Sequence, residues 1–240
     1  MIKNQIINGD CLKEMKLIED KSVRLVLADL PFGITQNKWD KKLPLDQLWL
    51  QYKRIINKNG AIALFGKGIF TAELIMSNSK MYRYKYTWVK NRATGHLNAN
   101  RMPLQSTEDI LVFYKKLPVY HPQKTLNNKP VHKFYTRHSG TNYNPADIQS
   151  SGGGSTERFP TDVLYYPVVN KPLHPTEKPV PLLEFLIKTY SDEGDIILDN
   201  CSGSGSLAEA CINVKRQYIC IEKDRYFFEK SIERLKHINH

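Results

Sequence analysis

No apolar run in the 240-residue chain approaches the ~18 residues that a membrane span needs. The opening residues, MIKNQIINGD, lack the apolar stretch of a secretory signal. Cysteine is scarce: Cys11, Cys201, Cys211 and Cys220 form no C-x-x-C pair, so neither a zinc knuckle nor a disulfide framework is indicated. The seven histidines are scattered and suggest no metal site. These absences point to a reduced, cytoplasmic protein with no membrane partner and no metal. Acidic residues are missing more locally. Between Leu74 and Ala146 only Glu108 and Asp109 face twelve Lys and Arg, so most of the net charge of +11 sits in mid-chain.

That basic stretch is interleaved with rings, among them Tyr82, Tyr84, Tyr86, Trp88, Tyr120, Phe134, Tyr135 and Tyr143. Cations for phosphates and flat side chains for exposed bases are what a nucleic-acid surface needs. A solvated basic face over core tyrosines would give the same composition; the long run without acids favours nucleic acid.

The periodicity alternates between strand and helix. Strands are predicted at Ile2–Ile7, Val23–Ala28, Ala61–Phe65, Tyr82–Lys90, Ile110–Tyr114, Asp195–Leu198 and Tyr218–Ile221. Helices are predicted at Cys11–Ile18, Leu45–Asn57, Ile69–Ser77, Val180–Tyr190, Ser206–Asn213 and Arg225–Ile238. The helix from Leu45 is expected to stop at the NKNG turn (Asn57–Gly60). From Leu117 to Pro172 prolines and the SSGGGST segment break all regularity. Strand–helix alternation at both ends predicts a mostly parallel, doubly wound α/β sheet with an irregular insertion.

Two segments carry chemistry. In DNCSGSGS a strand runs into Asp199, then Gly203 and Gly205, then a helix, with Glu222 ending the next strand. Glycines permit a tight turn and close approach of a nucleoside ligand, and the acid can hold ribose hydroxyls. Only one helix can follow Glu222, so a conventional dinucleotide domain is disfavoured. The sheet closes only if these C-terminal strands pair with the N-terminal ones, as in a circular permutation. In LADLPFG, Asp29 ends a strand and is followed by Leu30, Pro31 and Phe32. Alone, this reads first as a capped turn beside a core phenylalanine.

Taken together, NGDC (Asn8–Cys11), DLPF (Asp29–Phe32), HPTEKPVPLLEFLI (His174–Ile187), DNCSGSGS (Asp199–Ser206) and Glu222 resemble, in order, the motifs of permuted β-class amino-group DNA methyltransferases, most similar to the N6-adenine type. The resemblance implies a Rossmann-like methyltransferase fold. Residues 1–116 would be its catalytic half, 117–172 an inserted target-recognition region, and 173–240 the S-adenosylmethionine-binding half. It implies catalytic roles for Asp29, Leu30, Pro31 and Phe32, and cofactor contacts from Asp10, Cys11, Asp29, Lys178, Asp199, Cys201, Gly203, Gly205, Ser206 and Glu222. The implied substrate is double-stranded DNA, with a second copy of the chain and a cognate restriction endonuclease as further partners. Three positions depart from the family: Leu30 for proline, Phe32 for tyrosine and Cys201 for phenylalanine. None removes a group the chemistry needs.

An exocyclic base amine is a poor nucleophile because its lone pair is delocalised, so the base must leave the stack and its nitrogen must be drawn toward tetrahedral geometry. The resemblance gives that task to the Asp29 carboxylate and the Leu30 carbonyl, with Phe32 stacking on the base. Methylation of cytosine N4, or DNA binding without turnover, are the alternatives. Trp39-Asp40 could order the edge of this site, although a core tryptophan beside an N-cap is the simpler account; Trp88 and Lys90 resemble the family's strand flanking the base pocket and are equally well explained by packing.

Overall fold

The computed structural model describes residues 2–33, 37, 40–130, 154–236 and 238. Trp39, Lys133, Phe134, Tyr135, Arg137 and Tyr143 therefore lie outside the described residues.

Strands β1 (Gln5–Asn8), β2 (Val23–Ala28), β3 (Ile56–Gly66), β4 (Tyr82–Thr94), β5 (Gln105–Phe113), β6 (Val163–Tyr165), β7 (Ile196–Asp199) and β8 (Gln217–Glu222) form one sheet in the order β1-β8-β7-β2-β3-β5-β4-β6. The pairs β1–β8, β8–β7, β7–β2, β2–β3 and β4–β6 are parallel; β3–β5 and β5–β4 are antiparallel. The sequence expectation of a permuted sheet is met by these pairings. β8 joins β1, and β7 joins β2.

The central strands are mostly apolar along their buried lengths because both faces are covered. Alternate side chains serve opposite cores. Leu25, Leu27, Ala61, Ala63 and Phe65 pack toward helices α4 (Val180–Tyr190) and α5 (Ser206–Asn213), with Leu235 of α6 (Arg225–Lys236). Val26, Ala28, Ile62 and Leu64 pack toward α1 (Cys11–Glu14), α2 (Leu45–Ile55) and α3 (Ile69–Ser77). No helix among the described residues is long and apolar enough to cross a membrane.

Two local expectations are corrected. The NKNG segment is not a turn after α2: the helix ends at Ile55 and β3 begins at once. The segment is absorbed as an irregularity in β3, whose pairing with β2 jumps from Val23↔Ile56 to Leu25↔Ala61. Gly60 is needed there, since a Cβ would lie 2.6 Å from the Arg24 carbonyl oxygen. Second, the region expected to be irregular contains β6, paired with β4 through Trp88↔Leu164. Three residues are too few to show a period.

The chain divides into two compact units, one formed by Met1–His121 with Asp162–His240 and the other by Pro122–Thr161. In the smaller unit Thr125 and Arg158 form an antiparallel bridge, and Asn128 donates to the carbonyls of Thr125 and Thr156. Lys124 pairs with Glu157 at 2.8 Å and lies over the Phe159 ring.

Candidate active site

Four parallel strands deliver an acid each to the same edge of the sheet. Asp10 follows β1, Asp29 follows β2, and Asp199 and Glu222 end β7 and β8. Open α/β sheets bind ligands at this carboxyl edge. A cavity of about 1150 Å³ opens there, and its wall includes every site residue expected from the sequence except Gly205. Gly205 acts one step back. It opens α5 at φ +79°, and a Cβ there would meet the Ser231 Cβ at 2.8 Å.

At the acidic end, backbone and carboxylates lock the glycine loop to β8. The Gly203 N–H donates to Glu222 Oε2 at 2.7 Å, and the Asp224 N–H donates to Oε1 at 2.7 Å. Burial outweighs these donors and raises the Glu222 carboxyl above its ordinary range. Asp199 accepts from the Cys201 N–H at 3.0 Å, and burial pushes its carboxyl up to about 8. Asp10 caps α1 through the Leu12 N–H at 3.1 Å; its hydrogen bond from Lys223 leads in holding its carboxyl low, against a smaller opposing effect of burial. Beside it the Cys201 Sγ takes a hydrogen bond from the Asn200 amide at 3.5 Å.

This end also shows residues that sequence reasoning passed over. The His174 ring packs edge-on against Phe227 at 4.2 Å between centroids, and a Cβ on Gly203 (φ +50°) would come within 3.3 Å of it. Burial first, then Lys178, pushes the imidazole down to about 4, so it is neutral. Glu177 accepts from the Leu173 N–H at 2.8 Å and the Ser204 hydroxyl at 2.9 Å, and pairs with Arg234. Both sit in the HPTEKP segment, which was legible as a motif but not as a brace for the glycine loop.

At the other end the charges alternate. Lys178 pairs with Asp29 through Oδ2, and with Glu108 Oε1 at 3.2 Å. Glu108 in turn takes Lys90 on its other oxygen. Burial raises the Asp29 carboxyl, Lys178 opposes, Glu108 adds to the rise, and the balance is about 6. Asp29 Oδ1 is buried without a hydrogen-bond partner among the described residues. Such an oxygen is costly unless a donor from outside the chain is meant to reach it. Lys178, expected as a cofactor contact, lines the cavity and meets two carboxylates, as a buried ammonium must.

The residues after Asp29 separate in role. The Leu30 side chain is core, while the Phe32 ring stays half-buried against Phe70, with centroids 4.9 Å apart. Asp40 accepts the Gly33 N–H at 2.7 Å, which ties it to the end of the motif. Trp88 lines the cavity but donates its indole N–H to the Tyr166 carbonyl at 2.8 Å, and Lys90 lies over its ring at 4.7 Å. Lys67 and Arg92 add further cations to this end of the wall.

An acidic, glycine-looped end and a basic end with one bare carboxylate oxygen define a Rossmann-like group-transfer site, with room for a nucleoside cofactor and a second flat substrate. Comparison with known proteins gives the family. The N6_N4_Mtase family model, DNA methylase, matches residues 23–233. The chain belongs to this family and is an S-adenosylmethionine-dependent DNA methyltransferase. It is similar to the type II methyltransferase M.HpaI of Haemophilus parainfluenzae, 26% identical over 96% of this chain and 74% of that protein. It is likewise similar to the DNA adenine methyltransferase YhdJ of Escherichia coli, 26% identical over 98% of this chain and 83% of that protein. Among solved structures, the M1.HpyAVI–SAM complex superposes with a TM-score of 0.64 at 24% identity, over 96% of this chain and 98% of that one. The cytosine-N4-specific PvuII DNA methyltransferase superposes with a TM-score of 0.69 at 13% identity, over 96% of this chain and 85% of that one.

Proposed function

We propose that the chain methylates the N6 amino group of adenine in double-stranded DNA, with Asp29 as the acceptor that prepares the amine. The observation that carries this reading is the bare Asp29 Oδ1. Lys178 occupies the other oxygen, so Oδ1 is left to accept one amino hydrogen, and the Leu30 carbonyl is assigned the second. Phe32 offers its ring face to the flipped base. Pro31 stiffens the turn between them. A full negative charge beside an amine that becomes cationic stabilises the transition state more than the ground state. With a carboxyl balanced near 6, Asp29 is ionised at neutral pH and basic enough to receive the amine's proton afterwards.

S-adenosylmethionine, when bound, supplies the electrophilic methyl group. The residues at the acidic end fit it. Glu222 and Asp10 present carboxylates for hydroxyl and amino donors, and Gly203 lets the backbone come close where a side chain would press on His174. Lys67 and Arg92 in the cavity wall, and Arg101 in the exposed segment between β4 and β5, are the proposed phosphate contacts, and residues 117–172 the proposed target-recognition region. A homodimer and a cognate restriction endonuclease complete the proposed partners, and the cytoplasm is the proposed location.

Incubating unmethylated DNA with the protein and labelled cofactor, then separating the nucleosides by mass spectrometry, tests the reading. N6-methyladenine is the expected product. N4-methylcytosine would move the assignment to the other amino base, and absence of transfer would leave a DNA-binding protein. Single-molecule sequencing of DNA from expressing cells then gives the target motif.

A further inference from the structure

We propose that Glu108 is a positioning residue: with Lys90 it fixes Lys178 on one oxygen of Asp29 and so keeps the other oxygen bare for the substrate amine. The inference rests on the role of Asp29 proposed above.

An ammonium has three N–H donors. For Lys178 all three have acceptors: Asp29 Oδ2, Glu108 Oε1 at 3.2 Å, and the Thr176 carbonyl at 3.2 Å. Nothing remains for Asp29 Oδ1. Were Glu108 absent, one donor would be released within reach of the same carboxylate, where it would compete with the amino hydrogens for Oδ1. Glu108 is itself held. It sits opposite Trp88 across β4 and β5, and Lys90, two residues along the same face, reaches its second oxygen. Lys90 lies over the Trp88 ring and Lys178 over the Phe65 ring at 4.9 Å, so neither cation is free to wander.

The arrangement is buried and charged, which is expensive unless it serves something beyond stability. Glu108 is 6% exposed. Burial pushes its carboxyl up, but Lys178 and Lys90 together outweigh this and hold it below the usual range. The titratable groups facing Asp29 are Lys178 before α4, Glu108 on β5, Lys90 on β4 and Asp199 on β7. Lys67, after β3, faces Lys90, Glu108 and Lys178. Within this set Glu108 raises the Asp29 carboxyl and Lys90 lowers it. The two partners thus act on Asp29 with opposite sign, which simple loss of packing would not do.

The test uses the full chain, unmethylated genomic DNA and tritium-labelled S-adenosylmethionine, with single-turnover rates followed from pH 5 to 9. Glu108→Gln removes the anion while keeping the shape, so the acid limb of the rate should move to lower pH. Lys90→Gln removes a cation, so the limb should move to higher pH. Each displacement should be about half a pH unit or more, as for a charge acting through one neighbour. The plateau rate of Glu108→Gln should fall about tenfold, while cofactor affinity stays within about twofold, the signature of an interaction that counts only in the transition state. Limbs that coincide with the parent's, limbs displaced in the same direction, or loss of cofactor binding in either variant would each overturn the proposal. The comparison holds whichever base receives the methyl group. A parent protein that methylates no DNA would instead sink the reading of the site itself.

Discussion

The Glu222 carboxylate receives the Gly203 N–H at 2.7 Å, so the acid ending β8 and the glycine loop after β7 form one rigid piece. Glu222→Ala removes a ligand acceptor and unpins that loop together. S-adenosylmethionine affinity should fall by about 1–3 kcal/mol, the value of a hydrogen bond to a charged group. Glu222→Gln keeps an acceptor oxygen and should lose less. Calorimetry on folded variants decides it, and unchanged affinity in Glu222→Ala would remove this residue from the site.

Asp29→Ala should abolish turnover and leave cofactor affinity within a few fold, since most of the proposed cofactor contacts lie at the ends of other strands. Asp29→Asn should also be severely impaired. The amide is a weaker acceptor and strips Lys178 of a carboxylate. Normal methyl transfer by either variant, in a radiolabel filter assay, would contradict the mechanism.

The rate should also depend on pH with a definite sign. The Asp29 carboxyl is raised from 3.8 to about 6, so the ionised form needed to accept amino hydrogens is lost as pH falls through 6. Single-turnover rates should be flat above pH 7 and drop toward pH 5.

Stability should respond to Asp199 in the opposite part of the scale. Its carboxyl is raised from 3.8 in the unfolded chain to about 8 in the folded one, so the folded state binds the extra proton between these values. That contribution is complete below pH 3.8 and lost as pH rises to 8. Asp199→Asn keeps an oxygen for the Cys201 N–H and has no such slope. From pH 6 to pH 9 the parent should therefore lose melting temperature faster than the variant.

Arg92→Ala and Arg101→Ala should weaken DNA binding and flatten its log–log salt dependence by about 0.9 for each phosphate no longer neutralised. Cofactor affinity should not change. Unaltered slopes would place the DNA surface elsewhere. Lys124 is a weaker choice for this test, because Glu157 already neutralises it.

Asp29, Gly203 and Glu222 were legible because each stands at a strand end with a chemical reason to be there, and parallel pairing brings strand ends together. Glu108 was not. In the sequence it is one of two acids in a basic stretch and shows no spacing to Lys178; only the register of β4 and β5 makes it the anion between two ammoniums. Lys178 was found through its motif, but a motif marks a residue without saying which carboxylates its side chain meets. β6 and the NKNG irregularity were missed for a different reason: pairing with neighbours, rather than any local period, makes them strand.

The union of β1 with β8 also sets an order of assembly. The Asn8 side chain donates to the Glu222 carbonyl across 214 residues of sequence, and loop closure of that length is slow to come. A growing polypeptide leaving the ribosome makes β2 and β3 adjacent early, because they are neighbours in the sheet and close in the chain. β1 must wait, without its partner, until β8 has been synthesised. The pocket for the methyl donor therefore cannot close before β8 has been made, however early β2 and β3 have paired.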